Sequence, residues 1–202
     1  MSGIPFSKSV VSVALVSTGF ALGACAQAQS PSQPQSQDAM SSSMGTASIA
    51  GGALAAKDRR FIEKAARSGM AEVEMGKLAQ DKAASNQVKA FARKMAEDHS
   101  KANDELKQLA AAKGVTLPTD IAAKDRREIN KLSKLSGAEF DREYMTSMVS
   151  DHQKDVSEFK SGSKSALDND VKSFAAKTLP TLQQHLDLAQ STKASEIGRA
   201  HV

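Results

Sequence analysis

Two segments of the chain carry the same short pattern. Met95-Ala-Glu-Asp98-His99-Ser-Lys101 recurs as Met148-Val-Ser-Asp151-His152-Gln-Lys154. In each, the apolar residues return every three to four positions, so at about 100° per residue both histidines point into the apolar stripe of a helix. His185 falls within the stripe of a further helix, and Glu72 at the margin of another, whereas Glu74 points outward. An imidazole buried in a bundle must find a hydrogen-bond partner, a proton or a metal, because leaving it unpaired is costly. Three histidines and one carboxylate, one from each long helix, could converge on a transition metal. Neutral imidazoles suit zinc, copper or iron, and a carboxylate suits the harder of these. Met95 and Met148 each stand one helical turn before a histidine and could offer thioethers to Cu(I), although methionines on such a stripe are more often flexible core packers.

Depth along the helices limits this convergence. With 1.5 Å of rise per residue, Glu72 and His99 lie at similar distances from the break near residue 85. His152 comes about 9 residues before a Ser-Gly-Ser turn expected at 161–163, and His185 about 17 after the start of the next helix. That separates the two histidines by roughly 12 Å in depth. A di-iron centre is not expected, since such sites need Glu-x-x-His, and Ala96, Val149 and Leu182 stand where the glutamates would be. The alternative to a metal is structural: each buried histidine donates to a carboxylate or to Tyr144 and holds the bundle in register. The carboxylates next to His99 and His152, Asp98 and Asp151, are badly placed to reach their own neighbour's ring but can orient other groups. His201 is expected in water.

Other chemistries find little support. The chain has no Gly-rich phosphate loop, no G-x-S-x-G elbow and a single cysteine. Enzymatic activity is not expected. Nucleic-acid binding is not expected either: the net charge of +4 is interspersed, without a basic stripe or interleaved aromatics.

The elements that must position these residues are helices. From Lys57 onward the chain is rich in Ala, Lys, Glu, Leu and Gln and lacks β-branched runs. Periodicity and stop signals predict helices over about 58–82, with Asp58 as N-cap, and 86–113, closed by Gly114 and Leu117-Pro118-Thr119. Two more are predicted over 137–160 and 168–190, with Pro180 kinking or restarting the last. A short helix over 123–135 is expected across one end. Gly69 and Gly76 would let a neighbouring helix approach the first one closely. The fold class is therefore all-α, a four-helix bundle with one extra short helix.

Residues before 57 have a different character. Lys8 followed by the apolar run Val10–Leu22 reads as an export signal over 1–24, too short and too interrupted to span a membrane. Leu22-Gly23-Ala24-Cys25 resembles the lipobox of bacterial lipoproteins, which makes Cys25 the expected lipidation site; cleavage as an ordinary secretory signal is the alternative. Residues 25–56, with Asp38 their only charge, read as a disordered linker, and 191–202 as a flexible tail. With one cysteine, no internal disulfide is available.

Four motifs together carry a family resemblance: Phe61-Ile62-Glu63 with Ala71-Glu72; Phe91-Ala92-x-x-Met95-x-x-Asp98-His99-x-x-Ala102-Asn103-x-x-Leu106; Tyr144-x-x-x-Met148-x-x-Asp151-His152; and Leu179-Pro180-x-Leu182-x-x-His185. Over about residues 57–190 the chain resembles the bacterial family DUF4142. The resemblance implies a ferritin-like bundle, exported to the periplasm or outer membrane and often lipid-anchored. The expected role is that of an envelope protein tethered to the membrane by its lipid and able to hold one transition metal on His99, His152 or His185 with Glu72. A ligand-free structural or protein-interaction bundle is the first alternative and a ferritin-like metalloenzyme the second.

Overall fold

A computed structural model describes residues 53–199, which form five helices and no strand. The expected export signal, Cys25 and nearly all of the linker lie outside the described residues. The helices are α1 (Ala56–Lys82), α2 (Asn86–Ala112), α3 (Ala123–Leu132), α4 (Gly137–Ser165) and α5 (Asn169–Arg199). Two antiparallel hairpins, α1–α2 and α4–α5, pack with α1 against α4 and α2 against α5. This is the four-helix bundle that the periodicity predicts.

Local signals set most ends. Ser85 caps α2 by accepting from the backbone N–H of Gln87 and Val88. Gly114, at φ +63°, closes the same helix: its N–H donates to Ala111 and that of Val115 to Ala110, satisfying two otherwise orphaned carbonyls. Asp58 does something other than the expected N-cap, a position taken by Ala55. Buried at the base of α1, Asp58 accepts from the N–H of Leu167 and Asp168 in the α4–α5 turn. Asp141 does the reciprocal job from α4, accepting from Ala84 and Ser85 in the α1–α2 turn. These two carboxylates pin each hairpin's turn to the other hairpin and so fix their relative depth.

The sequence reading is corrected at three places. The Ser-Gly-Ser segment at 161–163 is no turn; α4 runs through it to Ser165. Gly162 is buried there, and the close packing requires glycine: a Cβ would come within 2.8 Å of the Phe61 ring and 3.2 Å of the Ala175 side chain. The last helix does not end at Gln190 but continues to Arg199 with Thr192 buried, and the exposed Pro180 neither ends nor restarts it. Finally, α3 packs along the flank of α1 and α4 rather than across an end: Arg126 pairs with Glu74, Ser147 donates to Glu128, and Lys131 pairs with Glu143.

The interior has two apolar halves. One contains Met75, Phe91, Met95, Phe140, Tyr144 and Met148; the other contains Phe61, Ile62, Leu106, Phe159, Phe174 and Leu182. Full burial of each such side chain contributes about 1.5–3 kcal/mol. Small residues bring α1 against α2, as expected: a Cβ on Gly76 would lie 2.8 Å from the Ala92 carbonyl oxygen, and one on Gly69 would collide with the Asn103 side chain. Between the two apolar halves lies a polar layer.

Candidate metal centre

The polar layer consists of His99 from α2, His152 from α4 and His185 from α5, at 5%, 0% and 1% exposure. One nitrogen from each ring can be chosen so that all three lie within 4.8 Å of one another. The rings themselves sit 5.4–5.6 Å apart, centroid to centroid. The 12 Å depth gap expected between His152 and His185 is therefore absent. Extending α4 past Gly162 moves the turn about 5 residues further from His152, which brings the two histidines to nearly the same depth.

Two of the rings have their tautomers fixed by partners that can only accept. His152 Nδ1 is 2.9 Å from the Met148 carbonyl oxygen and must donate to it, which leaves a lone pair on Nε2. His185 Nε2 is 3.0 Å from Asp98 Oδ2. Burial pushes the Asp98 carboxyl up, but hydrogen bonds from Lys94 and His185 outweigh it and hold it below the usual range, so Asp98 is an ionised acceptor. His185 consequently carries its lone pair on Nδ1, which is buried with no hydrogen-bond partner. Across the bundle diagonal, His99 Nε2 stands 3.5 Å from His152 Nε2. Around a tetrahedral zinc with bonds of about 2.0–2.1 Å, two ligand nitrogens lie about 3.4 Å apart. The His99–His152 pair already has that spacing.

Burial keeps these rings neutral. It is the largest cause holding His99 well below its ordinary value, reinforced by His152 and His185. It lowers His152 to about 4, again with His185 adding to the effect. His185 is lowered by burial too, against the opposing pull of Asp98. Neutral imidazole is the metal-binding form.

Glu72 is as buried as expected of a functional carboxylate, at 1% exposure, but it stands elsewhere. Its Oε1 is 3.9 Å from His152 Nδ1, on the opposite edge of the ring from the nitrogen that faces His99. It is not among the residues whose ligand atoms converge. Both of its oxygens lack a hydrogen-bond partner, and burial, followed by the charges of Asp155 and Asp151, pushes its carboxyl well above the ordinary range. Glu72 thus borders His152 without joining the three converging nitrogens. Met95 and Met148 are fully buried one turn from their histidines, in the apolar half that contains Tyr144. The hydrogen bond from a histidine to Tyr144 is not made, because the Tyr144 hydroxyl has no partner.

Sequence reasoning missed the Ser68–Asp155 pair. Asp155, three residues after His152, has its carboxylate raised to about 6 by burial and accepts from Ser68 Oγ at 3.0 Å through each oxygen. Its position on the shoulder of the α4 stripe was the available signal.

The family model "Domain of unknown function (DUF4142)" matches residues 43–192. No functionally curated protein matches the sequence. Among solved structures, a DUF305 fragment from Deinococcus radiodurans superposes with TM-score 0.63 at 12% identity, covering 70% of this chain and 98% of its own. A DUF305 protein from Streptomyces coelicolor, described as a candidate secreted protein, gives 0.60 at 16% identity, covering 69% and 91%. At such identities the likeness shows a shared helical fold.

Proposed function

We propose that this chain, which belongs to the DUF4142 family, is an exported cell-envelope protein whose bundle holds one transition-metal ion on His99, His152 and His185. The observation that carries the reading is the convergence of three neutral, buried imidazoles, two with their lone pairs fixed by second partners. A histidine ligand oriented by a carboxylate or a carbonyl through its other nitrogen is the usual support of a metal site, and His185–Asp98 and His152–Met148 both have that form. With no carboxylate among the converging atoms, the set suits zinc or copper better than iron. The role is binding rather than catalysis.

Export rests on the Lys8 and Val10–Leu22 signal, and anchoring on Cys25 as the lipid acceptor. Among the described residues no helix is long and apolar enough to cross a membrane. A lipid mass on Cys25 that disappears in Cys25→Ala would support the anchor; an unmodified cysteine would leave plain secretion.

The structural alternative has its own observation, the 3.5 Å contact of His99 with His152. The two readings make opposite forecasts for His99→Leu. If the histidines exist for a metal, the metal-free variant keeps or gains stability, because a desolvated imidazole has been removed, and it loses metal binding. If they exist to hold the bundle, the variant melts lower by several degrees, about 2–4 °C per kcal/mol at this size. Zn2+ and Cu+ titrations of the parent chain, with melting recorded with and without metal, complete the test. No stoichiometric binding by the parent would end the metal reading.

A further inference from the structure

A chamber with walls this closed poses a problem of access, because none of the three ligand rings is more than 5% exposed. We propose that Asp155 receives the metal ion at the mouth of the chamber and hands it to His99, making the cavity between α1 and α4 the ion's route from solvent. The inference rests on the metal reading above and extends it to how the site is filled.

Two voids meet at Asp155. The outer one, about 490 Å³, lies between α1 and α4 beside α3 and is lined by Glu72, Asp155 and Asp151 among others. The inner one, about 20 Å³, touches His99 and is large enough for a single water or a bare ion. Four residues, Ala65, Ser68, Asp155 and Phe159, form walls of both. Two further surface cavities, one beside α3 and α4 and one beside Phe91 and Leu188, touch no histidine.

The charges around the outer cavity support the assignment. Its six carboxyl groups outnumber its five cations, of which Lys124 is paired with Asp125, Lys154 with Asp151 and Lys64 with Glu158, while Arg60 and Arg67 stand at the same lining. Asp155 forms no ion pair among the described residues, and Ser68 alone donates to it. It is therefore a half-buried carboxylate that an arriving cation can neutralise. Ser68 keeps both oxygens at the shared wall, and an oxygen ligand releases a softer ion readily to imidazole nitrogen. Glu72, unpaired at the inner end of the same cavity, adds to the attraction when ionised.

A transit residue changes the rates of filling and emptying together and leaves the equilibrium where it was. The test follows Co2+ uptake by the full chain through its visible ligand-field bands, then chelator-driven release, in the parent, Asp155→Asn and Asp155→Glu. Asp155→Asn is expected to slow both rates by about tenfold or more, as loss of a focusing charge does, with Kd within about twofold. Asp155→Glu should recover most of the rate. Unchanged rates in Asp155→Asn would overturn the route. So would faster release with a weaker Kd, which would place Asp155 within the binding site itself. Absence of bands in the parent chain defeats the metal reading, and the route with it, whatever Asp155 does.

Discussion

Asp98 Oδ2 accepts a hydrogen bond from His185 Nε2 at 3.0 Å, so a residue of α2 fixes which nitrogen of an α5 ring is free. The same carboxylate is held in place from its own helix by Lys94 at 2.7 Å. Adjacent residues on α2 therefore have separate tasks: His99 offers a ring to the centre, and Asp98 reaches the next helix to aim a second one. Asp98→Asn retains the shape but loses the charge and allows the other tautomer. Metal affinity should fall by about 10–100-fold, as for other second partners of ligating histidines. A competition titration with a chelator of known affinity checks this; an unchanged Kd would mean that the bond serves only the fold.

Glu72 is predicted to oppose stability in the metal-free protein. Its two oxygens are buried without partners, and burial raises its pKa. Above its ordinary pKa the unfolded chain releases this proton, whereas the folded chain must retain it or bury a charge. Glu72→Gln removes that cost and should stabilise the metal-free chain by about 1–3 kcal/mol in urea melts at neutral pH. The same variant should bind metal more weakly, since it removes a carboxyl 3.9 Å from His152 Nδ1 that an arriving cation would ionise. Destabilisation without metal would show that Glu72 has a partner in solution.

The site should retain metal in mild acid. His152 is held at about 4, mainly by burial, so it stays neutral between about pH 4 and 6.5, where a solvated imidazole takes up a proton. Three exposed histidines would each lose affinity about tenfold per unit below 6.5. Here affinity should fall less steeply than that between pH 7 and 5, as Zn2+ titrations can record.

The same shift has a sign for folding. Below 6.5 the unfolded chain binds the proton that native His152 refuses, so its contribution, roughly 3 kcal/mol, is present above pH 6.5 and lost as pH falls to 4. Asp155, raised to about 6, acts oppositely: its contribution is present below 3.8 and lost as pH rises to 6. Metal-free Asp155→Asn should therefore lose stability on acidification more steeply than the parent.

Gly162 provides a test of the fold. As a residue of a loose turn it would tolerate a side chain. As a helical glycine under the Phe61 ring it should not: Gly162→Leu is expected to cost about 1–3 kcal/mol through overpacking. A melting temperature within a degree of the parent's would argue against this packing.

The helical class, the five helices among the described residues and the inward direction of His99, His152 and His185 were legible in the amino-acid pattern alone. These follow from local composition and a 3.6-residue period, both of which can be read within a single helix. Relative depth was not legible, because it depends on where one helix ends against another. Gly162, flanked by serines, carries the local signature of a turn, yet the packing of Phe61 and Ala175 makes it a helix interior. That single change brings His152 level with His185. Glu72 illustrates the same limit: periodicity placed it at a margin, while the neighbouring helices bury it and set it against the edge of His152 away from His99. Tertiary structure also created the Asp98–His185 and Ser68–Asp155 pairs, each joining residues 87 positions apart. Contacts between helices depend on side chains that no single helix contains, so only the packed bundle could decide them.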